Sequence, residues 1–81
     1  MPDRKQITLI RMRTGQSGIV VQIQGGHGMV NRLSALGIRP GKRITKVSGG
    51  LMRGPVTVQI DGAQVAIGFG MAMRITVELE K

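Results

Sequence analysis

The sequence predicts a mainly β fold, a small β-barrel of five to six short strands with one short α-helix. Three observations predict it. Apolar and polar residues alternate in several separate segments, as they do in strands with one buried face. Only one segment carries apolar residues at helical spacing. The chain has 81 residues, 13 of them glycine and most of those where segments end, so a sheet of this many strands hides its edges best by closing on itself. Residues 1–81 are read as a single domain, with no internal repeat, linker or low-complexity stretch.

The elements follow in chain order. A segment around Ile7 to Ile10 supplies a candidate edge strand. Ile19, Val21 and Ile23 alternate with Val20, Gln22 and Gln24, which predicts a strand with the first set inward. Met29 to Leu36 reads as a short helix whose Met29, Leu33 and Leu36 share one face and plug an open end of the barrel. Gly37 stands where a left-handed C-terminal cap is wanted, and Pro40-Gly41 turns the chain into an irregular strand from Arg43 to Ser48 that buries Ile44 and Val47. Val56, Val58 and Ile60 alternate with Thr57, Gln59 and Asp61, and Asp61-Gly62 is a two-residue hairpin signal leading into Gln64 to Ile67. The last strand sets Ile75, Val77 and Leu79 against Thr76, Glu78 and Glu80.

Charge is the strongest bulk signal. Twelve Lys and Arg against four Asp and Glu give +8, so the surface attracts an acidic protein, an anionic membrane face or nucleic acid. The basic residues form loose groups at Arg4/Lys5, Arg11/Arg13 and Arg39/Lys42/Arg43/Lys46, without a continuous run. Phe69 is the only aromatic residue, which argues against single-stranded nucleic acid because base stacking needs several flat platforms. The chain has no cysteine, no apolar run near the roughly 18 residues that span a bilayer, and no apolar signal core in its first residues, MPDRKQ. A cytoplasmic protein is expected.

The search for chemistry comes back empty. Gly37-Ile38-Arg39-Pro40-Gly41-Lys42-Arg43 is one residue short of a phosphate loop, lacks its Ser or Thr, and loses an N–H donor at Pro40. Gly68-Phe69-Gly70 starts like a dinucleotide fingerprint, but Met73 takes the third glycine position and the segment is expected to run into a strand. His27 is the only histidine, and Ser17, Ser34 and Ser48 have no other base to share, so no enzyme activity, cofactor or metal site is expected. Met12, Met29, Met71 and Met73 read as core filler. Leu51 and Met52 differ, since they lie in the loop Ser48 to Pro55, where large apolar side chains either fold back over the barrel mouth or meet a partner.

The chain resembles the ferrous iron transport protein A (FeoA) family from Leu9 to Val77. The resemblance rests on Gly18-Ile19-Val20 with Gly25-Gly26, on Arg32-Leu33-x-x-Leu36-Gly37-Ile38-x-Pro40-Gly41, on Gly54-Pro55-Val56, and on Val65-Ala66-Ile67-Gly68 with Ala72-x-x-Ile75-x-Val77. It implies an SH3-like barrel and a non-enzymatic cytosolic accessory of bacterial ferrous iron uptake, which contacts the cytosolic portion of the membrane transporter FeoB. The same domain type resembles the C-terminal SH3-like module of metal-dependent transcription repressors, so the alternatives are an accessory domain of that kind or, from the charge of +8, a basic nucleic-acid-binding barrel. On the adaptor reading Leu51, Met52 and Arg53 are the expected contact loop. Arg39, Lys42 and Arg43 are the expected steering charges toward an acidic surface or phospholipid headgroups.

Overall fold

The structure, a computed structural model, describes residues 5–80. Arg4 and the opening residues of MPDRKQ, singled out above for charge and for the missing signal core, lie outside the described residues. Six strands form one antiparallel sheet in the order β1-β6-β2-β3-β4-β5. They are β1 (Gln6–Thr8), β2 (Ser17–Ile23), β3 (Arg43–Gly49), β4 (Val56–Ile60), β5 (Ala63–Ile67) and β6 (Ile75–Leu79). Helix α1 spans His27–Ala35, and a single helical turn, α2, spans Phe69–Ala72. The expected mainly β architecture is present. Among the described residues no ladder joins β1 to β5, so the sheet curves around its core and keeps two edges instead of closing edge to edge.

Each strand sends alternate side chains to a common buried face. Val20, Ile44, Val58, Ile67, Ile75 and Val77 are fully buried there, and Leu9, Leu33, Ile38 and Ala72 close the layer from outside the sheet. Two bulges set the phase of this pattern. Between Val20 and Gln22 the pairing of β2 with β6 slips by one residue, and between Lys46 and Ser48 the pairing of β3 with β4 does the same. Before the first slip Gly18 and Val20 face inward; after it Ile23 does, opposite the buried Ile75. Ile19 and Val21 are consequently only half-buried, against a strict alternation counted back from Ile23. The second slip does the same in β3, where Lys46 takes the inward position expected of Val47.

Helix α1 begins two residues earlier than its apolar spacing suggests, with exposed His27 in its first turn. Its C-terminus carries the predicted cap. Gly37 has φ +90°, its N–H donates to the Ser34 carbonyl at 2.9 Å, and the Ile38 N–H donates to the Leu33 carbonyl at 2.9 Å. The cap reverses the chain and drops Ile38 beneath the helix, so Leu33 and Ile38 form the plug while Leu36 stays 40% exposed. Asp61 (φ 50°) and Gly62 (φ 80°) make the predicted hairpin turn between β4 and β5. Sequence alternation does not reveal α2, whose turn is closed by the Ala72 N–H donating to the Gly68 carbonyl at 2.9 Å. Because that turn points Ala72 inward, Met73 is half exposed instead of filling the core; Met12 is buried and Met29 and Met71 pack at its rim.

The N-terminal segment pairs as a strand only over Gln6–Thr8, then coils into a 3₁₀ turn at Leu9–Arg11 that buries Leu9. Lys46 fixes this turn. Its ammonium, 6% exposed, donates to the Met12 carbonyl at 2.7 Å and to the Ile10 carbonyl at 3.3 Å. Its main chain receives the Gly15 N–H at 2.7 Å and donates to the Gln16 carbonyl at 3.0 Å. One residue of β3 thus holds the segment Ile10 to Gln16 from both its ends.

Candidate functional site

β3 ends in Gly49, and from there the backbone runs through an unusual series of left-handed conformations. Gly49, Gly50, Met52 and Arg53 have φ of 108°, 86°, 53° and 61°. For Met and Arg this conformation costs about 1 kcal/mol each, because Cβ crowds the following carbonyl. Two main-chain bonds hold the turn, Gly54 N–H to the Leu51 carbonyl at 2.9 Å and Gly50 N–H to the Pro55 carbonyl at 3.2 Å. Gly49 is required twice over, since a Cβ there would collide with the Pro55 carbonyl oxygen.

The strained turn projects its side chains outward. Leu51 is 84% and Met52 93% exposed, and Arg53 is exposed beside them. Of the two outcomes left open by the sequence, folding back over the core does not occur. Apolar side chains held in water by a backbone that itself carries strain are the pattern expected where a partner supplies the missing cover. At the base of the turn, Gly50 sits beside Ile10 and the Lys46 ammonium.

The structure keeps the expected contact loop apart from the expected steering charges. Arg43 opens β3 and Gly49 closes it, which separates the basic group from the apolar tip by about 20 Å along the strand. In the basic group, the Lys42 ammonium lies 2.7 Å from an Asp61 carboxylate oxygen and the Arg43 guanidinium 2.6 Å from one of Glu80. Both pairs are partly solvent-exposed and so partly screened. Arg39 is exposed and has no ion pair among the described residues. The six residues therefore make two surfaces, an apolar tip with one arginine and a partly neutralised basic cluster.

Sequence reasoning grouped Lys46 with the surface charges and missed its role. A signal was present, because counting in twos from Ile44 lands on Lys46. Among the described residues no group of three or more His, Cys, Asp or Glu side chains could hold a metal ion. His27 stands exposed at the start of α1.

Comparison with known proteins assigns the chain. The FeoA domain model matches residues 7–79. A Methanocaldococcus jannaschii protein named for Fe(2+) transport, transport protein A, is 36% identical over 66 residues, which are 82% of this chain and 78% of that one. The crystal structure of an iron uptake regulatory protein, FeoA, superposes with TM-score 0.88 at 36% identity, over 94% of this chain and 100% of the other. The zinc complex of Stenotrophomonas maltophilia FeoA, described as a procaryotic SH3 domain protein, superposes with TM-score 0.75 at 26% identity over 89% of each chain. The curved six-stranded sheet with its helical plug is this SH3-like fold, and the chain belongs to the FeoA family, which is associated with ferrous iron transport.

Proposed function

We propose that this protein is a non-enzymatic cytosolic accessory of ferrous iron uptake that docks on the cytosolic portion of the transporter FeoB through Leu51, Met52 and Arg53. The observation that carries the proposal is the tip itself: two large apolar side chains, 84% and 93% exposed, on a turn with left-handed Met52 and Arg53. Burying them against a partner contributes about 1.5–3 kcal/mol each. Arg39, Lys42 and Arg43 act at a distance, steering the encounter toward an acidic face and bringing the protein to the inner membrane surface through the transporter. Their pairing with Asp61 and Glu80 leaves Arg39 the largest share of that role.

The test is a titration against the soluble cytosolic domain of FeoB at near-physiological salt, with duplex DNA as a parallel ligand. Leu51→Asp combined with Met52→Asp should weaken binding by on the order of 100-fold or more while the fold survives. Asp is among the residues that tolerate the left-handed region, so the variant does not add strain at position 52. Wild-type affinity in the folded double variant would remove the tip from the proposal. Saturable binding to DNA alone would transfer the function to the positive surface.

A further inference from the structure

A second feature lies beside β1. Lys5, Ile7, Arg11, Arg13, Gln16 and Leu79 line an open cleft of about 420 Å³ between the β1–β6 end of the sheet and the stapled segment Ile10 to Gln16. Its apolar lining is Ile7 from β1 and Leu79 from β6. Among the described residues its lining carries three cations and no carboxylate. The carboxylates of the described residues are directed elsewhere. Asp61 and Glu80 are committed to Lys42 and Arg43, and Glu78, adjacent to Leu79 on β6, points to the opposite face of the sheet. Gln16 adds a donor, because its side-chain carbonyl already accepts the Arg13 N–H at 2.7 Å and leaves the amide NH₂ unengaged by it. Among the described residues the polar side chains that line the cleft therefore offer donors and positive charge.

The walls are also held in place. Arg11, Arg13 and Gln16 all belong to the segment that Lys46 fixes through the Met12 and Ile10 carbonyls and its own main chain. A cationic cleft on a braced loop is suited to a compact multivalent anion, and guanidinium forks match a tetrahedral oxyanion two oxygens at a time.

We propose that this cleft is a binding site for a phosphate group, with Arg11 and Arg13 as the principal ligands and Lys5 and Gln16 completing the donor set, and with Ile7 and Leu79 covering the adjoining apolar part where the phosphate belongs to a lipid headgroup. The proposal stands independently of docking on FeoB. The shared chemistry is a phosphate oxyanion, borne either by free phosphate or by the headgroup of an anionic phospholipid.

The experiment follows backbone amide shifts during titration with inorganic phosphate at constant ionic strength, with chloride as the matched control. Co-sedimentation with phosphatidylglycerol vesicles, compared with phosphatidylcholine vesicles, forms the second arm. Saturable shifts confined to residues 5–16 and 79 would identify free phosphate, and retention on phosphatidylglycerol vesicles alone would identify the headgroup. Either effect should weaken about tenfold or more in Arg11→Gln/Arg13→Gln and remain unchanged in Arg32→Gln, a charge change outside the cleft. Shifts that match those in chloride, equal binding by Arg11→Gln/Arg13→Gln, or no response in both arms would overturn the proposal.

Discussion

Replacing Lys46 by Met should destabilise the fold although it inserts an apolar side chain of similar length into a buried position. The ammonium donates to two main-chain carbonyls, at 2.7 Å to Met12 and 3.3 Å to Ile10, and no carboxylate shares the site among the described residues. A hydrogen bond from a charged group contributes about 1.5–3 kcal/mol, with the longer bond at the low end. Met leaves both carbonyls without that donor and at the same time removes the cost of holding a charge out of water. The net loss worked from these terms is about 2–3 kcal/mol, a large part of the roughly 4–12 kcal/mol that holds a chain of this length folded. In a domain of 60–100 residues each kcal/mol shifts the midpoint by about 4–8 °C, so Tm should fall by about 10–20 °C. Thermal melts and urea titrations followed by circular dichroism measure this, and hydrogen exchange should show the amides of Met12 and Arg13 losing protection. A Tm equal to or above that of the wild type would refute the reasoning, because the buried charge would then be worth no more than a methionine in its place.

Ile38→Ala should cost about 2–5 kcal/mol and Leu36→Ala less than about 0.5, the reverse of what the helical spacing alone suggests; urea midpoints of the two variants decide it. Gly49→Ala should lose about 2–4 kcal/mol by the same assay, since Ala meets both the φ of 108° and the Pro55 carbonyl, and a loss under about 1 kcal/mol would mean the tip can relax. Arg39→Glu should slow association with the FeoB cytosolic domain severalfold at low salt and leave dissociation nearly unchanged; a stopped-flow series in salt reads both rates.

The hairpin of β4 and β5 was legible because its register is regular and Asp61-Gly62 specifies the turn. The α1 cap was equally legible, since Gly37 and Pro40 act through backbone geometry that does not depend on the rest of the fold. Errors of phase in β2 and β3 have one cause. A bulge adds a residue without changing composition, so alternation counted across Val21 or Val47 assigns the wrong face. The turn α2 escaped because its four residues are too few to show a helical period. For the site, the sequence marked Leu51 and Met52 by their chemistry in a glycine-rich loop, but not the strain beneath them. The gathering of Lys5, Arg11, Arg13 and Leu79 around one cleft depends on β1 pairing with β6, across most of the chain.

That pairing also sets the order in which the molecule is completed as it is synthesised. β6 lies between β1 and β2, so β1 leaves the ribosome well before the strand it pairs with. β2 to β5 form a meander of neighbours in sequence and can assemble early, whereas β1 and the free side of β2 wait for Ile75–Leu79. Such long-range closure is slow because the intervening chain must first give up its freedom. Until then Val20 and Ile7 lack the Val77 that covers them, and the nascent chain carries an unfilled slot that fits one of its own strands.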